Sequence, residues 1–358
     1  MVILFLVVSI ALTAILLSLV HPIVVAMSTP TDAVSGTVTY LTICFIGIPF
    51  ITSYNIISSI FRGLGDSKSP MCFIATACAA NIALDYLFMG VLHLGPAGAA
   101  LGTTLSQAIS VVVSLTVILK RRSIVLKKSD FKPCRAVMGK ILGIGIPIAF
   151  QDGLIQVAFI IITIIANQRG LNDAAAVGIV EKVISFLFLV PSSMLSTVSA
   201  LGAQNIGAGK PERAIQTLRY AVMLAAGFGV LASIAIQFTA EGIVSLFTDP
   251  STADGAAVVR FGGQYLRGYI FDCIFAGIHF SFSGFFCACR KSGLSFLHNI
   301  LAIVLMRVPG VYVTSKLFPA TLLPMGLATA AGSLLSVVIC LIAFGVIRRK
   351  STLVLVEE

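Results

Sequence analysis

The sequence predicts an all-α polytopic membrane protein of about ten transmembrane helices, and three observations predict it. Of the 358 residues, 58% are hydrophobic and only 11% are charged, whereas a soluble domain carries about 25% charged residues. Mean hydropathy is +1.05. Apolar runs long enough to cross a hydrocarbon core of about 30 Å recur along nearly the whole chain, and the residues between them are too few for a separate soluble domain.

The runs are 2–26, 36–61, 70–93, 96–119, 138–167, 173–201, 217–246, 256–289, 292–315 and 321–347. The first has no Lys or Arg among its first 25 residues, unlike a secretory leader with its basic start; it reads as a spanning helix entered without a preceding loop. The second and eighth are related. "TYLTICFIGIPFITSYNIISSIFRG" (39–63) resembles "QYLRGYIFDCIFAGIHFSFSGFFCA" (264–288) at a spacing of 225 residues, and a polar turn precedes each, "AMSTPTD" (26–32) and "LFTDPST" (246–252). The fourth opens on "GPAGAALGTT" (95–104), 228 residues before "LPMGLATAAG" (323–332) in the tenth. Such internal duplication is a transporter pattern, with the substrate path between the halves. The first half has four helices and the second six; the helices at 138–201 and the stretch "GAQNIGAGKPERA" (202–214) have no counterpart.

Charge places the loops. Segments 62–69, 120–140, 202–216, 288–293 and 348–350 together hold seventeen basic residues, whereas the opposite loops hold only Arg169 and Lys316. This asymmetry puts both termini and the loop "KRRSIVLKKSDFKPCR" in the cytoplasm, where the loop anchors topology and touches anionic headgroups. The formal charge of +10 therefore reflects orientation, and no nucleic-acid partner is expected. The eight cysteines show no metal-ligand spacing. Cys287 and Cys289 lie near a cytoplasmic end, where the reducing compartment disfavours a disulfide.

The ionisable residues inside the runs carry the functional expectations. Asp85, in "NIALDYLFMG" (81–90), lies about 22 Å along a helix that starts at Pro70, and a charge at the bilayer centre costs about 2.5–3.5 kcal/mol on insertion scales. Asn81 is one turn earlier on the same face. In the next helix Gly98, Ala99, Gly102 and Thr103 form a small-residue face that permits close approach, so the Thr103 hydroxyl is expected beside the pair. A carboxylate, an amide and a hydroxyl suit a hard cation or a proton. In "GIPIAFQDGLIQ", Pro147 frees carbonyls that a cavity can use, with Asp152 and Gln156 following. Asp272 and His279 share a helix face, and Glu181 and Lys182 point about 100° apart. Asp152, Gln156, Glu181, Asp272 and His279 are expected to border a substrate cavity; Lys182, Arg267 and Arg307 are the available counter-ions, with Arg307 also able to snorkel.

An enzyme reading fails at one motif. "GLGD" (63–66) matches the GxGD string of intramembrane aspartyl proteases, but that mechanism needs two carboxylates sharing a proton and the preceding helix has no acid. Asp66 instead sits in a turn signalled by its glycines and Pro70. No zincin, serine-hydrolase or Walker motif occurs.

The stretches "FRGLGDSKSP" (61–70), "NIALD" (81–85), "GPAGAALGTT" (95–104), "GIPIAF" (145–150), "GAQNIGAGKPERA" (202–214) and "YLR" (265–267) resemble the multidrug and toxic compound extrusion (MATE) family, in the order of helices three to twelve of a twelve-helix member. The resemblance implies two lobes opening alternately. Residues 1–119 would form the first, a four-helix remnant, 120–137 the basic inter-lobe loop, 138–347 the second, a six-helix bundle, and 348–358 a cytoplasmic tail. It implies that the first two helices are missing, the first of which carries an Asp of the ion site in many bacterial and archaeal members, so the family's activity belongs to the intact gene product. Asn81, Asp85 and Thr103 match the family's cation site. Gln156 falls where sodium-coupled members have a Glu, and Asp272 falls about a turn from the acid on helix ten. The expected function is a monomeric, cofactor-free secondary exporter of the inner (plasma) membrane, exchanging cationic or aromatic small molecules for Na⁺ (held at Asp85) or H⁺. The alternative is a lipid-linked oligosaccharide flippase of the same superfamily.

Overall fold

The computed structural model describes residues 2–26, 31–121 and 134–349, and every regular element among them is helical. The helices are α1 (Val2–Ala26), α2 (Thr31–Gly63), α3 (Lys68–Asp85), α4 (Gly95–Arg121), α5 (Arg135–Asn167), α6 (Leu171–Leu187), α7 (Leu189–Gly207), α8 (Pro211–Val244), α9 (Ala253–Tyr269), α10 (Phe271–Ala288), α11 (Ser292–Ala302), α12 (Val308–Leu317) and α13 (Leu323–Arg349). A π-helical turn, Tyr86–Val91, continues α3, and a second, Ile303–Arg307, joins α11 to α12. α6 with α7, α9 with α10, and α11 with α12 each make one long rod, so the described residues hold ten helices long and apolar enough to span a bilayer. These coincide with the ten expected runs. Most of the basic loop at 120–137 and the tail beyond Arg349 lie outside the described residues.

Packing divides the chain into two compact units, 1–141 and 142–358. In the first, α4 is sewn to its neighbours by hydroxyls: Thr104 Oγ1 donates to the Ile43 carbonyl of α2 at 3.3 Å, and Ser110 Oγ to the Phe73 carbonyl of α3 at 3.1 Å. Phe61 and Phe73 meet edge to face at 5.6 Å. Between α2 and α3, the Asp66 carboxylate accepts from the Ser69 amide at 3.0 Å and the Ser69 hydroxyl at 2.6 Å. The "GLGD" motif is therefore a helix-capping turn.

In the second unit α10 is the central rod, buried along most of its length against α7, α8 and α13. Tyr265 and Tyr269 at the end of α9 are wholly enclosed. The unit repeats the first beyond what the two quoted pairs show: α3 with its π turn (68–91) corresponds to α11, its π turn and α12 (292–317). Both halves thus place a π turn in the same helix of the repeat.

Prolines within helices release a carbonyl four residues back, and side chains from neighbouring helices claim three of these. Thr13 donates to the Phe45 carbonyl released by Pro49 at 3.3 Å, and Ser292 to the Gly143 carbonyl released by Pro147 at 3.2 Å. Cys273 Sγ approaches the Leu187 carbonyl released by Pro191 at 3.9 Å. The carbonyl expected to serve a cavity at Pro147 is thus occupied by a helix–helix contact. Cys287 and Cys289 are free thiols, and burial pushes the Cys289 thiol up to about 11.

Candidate functional site

Asp85 is the last residue of α3 and stands at the junction with the π turn. A π turn inserts one extra residue per turn and recurs at functional sites. Asn81 and Asp85 are half-buried on one face, and both Asn81 Nδ2 and Asp85 Oδ1 are fully enclosed without a hydrogen-bond partner. The carboxylate lies against Gly102 of α4 so closely that a Cβ there would overlap Asp85 Oδ1. The expected third member is misplaced: Thr103 is exposed, because one residue along a helix turns the side chain by about 100°. No hydrogen bond joins Asn81, Asp85 and Thr103 among the described residues. What the close packing supplies is the bare backbone of Gly102 against the carboxylate, not a hydroxyl.

The second unit holds a polar layer of its own. Asp272, at the start of α10, is completely buried, and Arg307 Nη2 pairs with its Oδ2 at 3.2 Å. The same nitrogen donates to the Tyr269 hydroxyl at 2.8 Å. The guanidinium stacks over Phe159 at 5.3 Å and Tyr269 at 5.8 Å from the ring centres. Glu181 of α6 is half-buried, and its Oε1 is enclosed with no partner. Further along, His279 meets His298 at 5.5 Å between ring centres, His298 Nε2 bonds the Ser283 hydroxyl at 2.8 Å, and Ser295 donates to Gln151 Oε1 at 2.6 Å. A cavity of about 70 Å³ runs among Phe159, Phe188, His279, Phe280, Asn299 and Arg307. An apolar cavity of about 150 Å³ just admits benzene, so this space suits a few waters and not a drug.

The expected substrate group therefore separates. Glu181, Asp272 and His279 belong to the polar layer, whereas Asp152 and Gln156 lie on the exposed face of α5. The residue of that segment that enters the layer is Gln151, fully buried. Asp272 and His279 do not act as a pair, since each has a different partner. Lys182 is exposed and makes no ion pair among the described residues, and Arg267 pairs with Glu241 at 3.0 Å. Of these three candidate bases, Arg307 is the one that serves as counter-ion in the polar layer. Gln151, His298, Tyr269 and the two π turns were not singled out from the sequence; a Gln or His on the inner face of an apolar run was the available signal.

The family description "MatE" matches residues 1–87 and 147–313, more than half of the chain. The chain belongs to the MATE family. It is 30% identical over 306 residues to a probable multidrug resistance protein, YpnP, of Bacillus subtilis, covering 86% of this chain and 66% of the relative. It is 27% identical to an FAD transporter of Shewanella oneidensis, covering 75% of this chain and 60% of the relative. The chain thus spans about two thirds or less of the length of these curated relatives. An outward-facing multidrug resistance MATE transporter superposes with a TM-score of 0.89 at 20% identity, covering 98% of this chain and 77% of the other. That likeness is one of fold. MATE proteins are transporters, which sets aside the protease reading of "GLGD".

Proposed function

We propose that this MATE protein is a secondary active exporter of cationic or aromatic small molecules, driven by Na⁺ or H⁺ antiport through alternating access, with Asp85 holding the coupling ion. The observation that carries the reading is the enclosed, partnerless Asp85 Oδ1 against Gly102. An enclosed carboxylate oxygen without a donor is costly, and a hard cation or a proton supplies what the protein withholds. Asn81 lies one turn away, and an amide turned end for end would present its carbonyl oxygen to a cation; Thr103 would join only after a rotation of α4. The basic-residue asymmetry supports cytoplasmic termini in the cell membrane. Asp152 and Gln156, exposed on α5, are proposed substrate contacts, and the exporter is taken to act as a monomer without a cofactor.

The named relatives are a probable multidrug resistance protein and an FAD transporter, and we take an aromatic body more than a fixed charge as the substrate feature. A flippase for a pyrophosphate-linked lipid is not favoured. Such a substrate calls for several unpaired basic groups; of the three candidate bases Arg307 is held by Asp272 and Arg267 by Glu241, which leaves Lys182.

The test is ethidium efflux from cells expressing the wild type and Asp85→Asn, with membrane levels matched by immunoblot. The amide keeps the size but cannot carry a proton or offer full charge to Na⁺. Efflux is expected to fall at least about tenfold, the equivalent of about 1.4 kcal/mol. Undiminished efflux would mean that Asp85 is structural.

A further inference from the structure

We infer that Phe159, Tyr269 and Asp272 form an organic-cation cage in the second unit, and that Arg307 is its tethered occupant. Arg307 is thereby a specificity-determining residue that shuts diffusible cations out of the adjoining cavity. The exclusion of cationic cargo rests on the exporter reading above, whereas the cage itself does not.

The parts are those that bind an organic cation. Aromatic faces attract a cation within about 6 Å of the ring centre, and cages of such faces recognise ammonium ligands. A guanidinium stacks on them equally well. Here the Arg307 guanidinium carbon lies 5.3 Å from the centre of Phe159 and 5.8 Å from that of Tyr269. Phe188 meets Tyr269 edge to face at 6.3 Å and braces that ring. The charge is matched by the fully buried Asp272, whose Oδ2 is 3.2 Å from Arg307 Nη2. The Tyr269 hydroxyl accepts from the same nitrogen at 2.8 Å. Two ring faces, a carboxylate and a hydroxyl thus converge on one guanidinium. A simple ion pair needs none of the rings.

The occupant is fixed at its root. A Cβ on Gly332 of α13 would lie 2.8 Å from Arg307 Cβ and 3.2 Å from its Cα, so α13 packs tightly against the base of the side chain. Tyr269 and Asp272 hold the other end. Arg307 also lines the cavity of about 70 Å³, with Phe159, Phe188 and Phe280, whereas Asp272 does not line it. A second cation entering that space would meet the guanidinium before the carboxylate. Like charges at close quarters repel strongly where water is scarce. An uncharged aromatic edge meets no such barrier. The pocket therefore selects neutral groups, and one side chain sets the preference. Removing the guanidinium would join its volume to the cavity and leave the cage vacant.

The test is chemical rescue. In the purified chain carrying Arg307→Ala, Asp272 is left buried without its partner, and thermal stability is expected to fall. Methylguanidinium chloride should restore it, whereas N-methylurea, similar in shape but uncharged, should not. At about ten times its dissociation constant a ligand lowers the unfolding constant about elevenfold, a midpoint rise of about 3 °C or more in a unit of this size. No rise is expected for the wild type, whose cage is full, or for Arg307→Ala combined with Asp272→Asn. A rise in the wild type would show that Arg307 excludes no cation, and no rise in Arg307→Ala would overturn the cage. Should Arg307→Ala not survive extraction, cell-free synthesis into liposomes decides. Methylguanidinium present during synthesis should raise the protease-resistant yield at least about threefold; a yield no better than with methylurea would overturn the cage. Neither measurement involves transport, so failure of the cage and failure of the exporter reading are distinguishable.

Discussion

Gly102 of α4 faces Asp85 of α3 with no room for even one added carbon. Gly102→Ala is therefore expected to displace the carboxylate while leaving the protein in the membrane. Overpacking costs about 1–3 kcal/mol, and replacing a helical Gly by Ala returns about 1 kcal/mol in propensity. Ethidium efflux of Gly102→Ala should fall toward that of Asp85→Asn, with membrane levels within about twofold of wild type by the same arithmetic. Normal efflux at normal abundance would show that the position of Asp85 is unimportant.

Arg169 offers a second test, at the opposite end of the second unit from the basic loops. It pairs with Asp173 at 2.7 Å and donates to the carbonyls of Ser315 at 2.6 Å and Pro319 at 2.9 Å. Longer bonds reach Phe318 and Thr321, so one guanidinium caps the end of α12 and ties it to the α5–α6 turn. Breaking a buried pair costs about 3–5 kcal/mol, and each kcal/mol lowers the midpoint by about 2–4 °C in a unit of this size. Arg169→Ala should lower the melting temperature by about 10 °C on that scale, and Arg169→Lys should fall between, because an ammonium has no planar fork. Lysine matching arginine would mean that charge alone suffices.

The spans were legible in the sequence because length and hydropathy are summed over some twenty residues and tolerate local error. Asp85 was legible because a carboxylate in an apolar run is expensive. Its partner was not. Gly98, Ala99, Gly102 and Thr103 are small on two adjoining faces, and only packing fixes which face turns toward α3. The same rotation separates Gln151, which is buried, from Asp152, which is exposed. Three bases were open to Asp272, and the choice of Arg307 over Lys182 and Arg267 was made by contacts 35 residues apart in sequence. The π turns left no periodic trace, since each is a single extra residue within a mostly apolar run.

Orientation is tested by labelling. In a background whose native cysteines are replaced, Lys128→Cys should react only from the cytoplasm and Ser251→Cys only from outside. Position 128 lies in the basic loop outside the described residues, and Ser251 lies in the short turn between α8 and α9. Labelling of both from one side would overturn the topology that the basic residues set.

The last prediction concerns the carbonyl that Pro147 releases. Ser292 donates to Gly143 O at 3.2 Å and holds α11 on α5. Ser292→Ala leaves that carbonyl without its donor; because Gly143 is exposed, the expected loss is the net worth of one hydrogen bond, about 1 kcal/mol. Pro147→Ala restores a backbone amide, which can close the ordinary α-helical bond to Gly143 and make the serine redundant. The two substitutions should therefore couple: Ser292→Ala is expected to cost about 1 kcal/mol or more in the proline background and less than about half of that in the alanine background. Thermal unfolding of the four proteins reads the difference directly. Equal costs in both backgrounds would mean that the serine stabilises α11 by some route other than the released carbonyl.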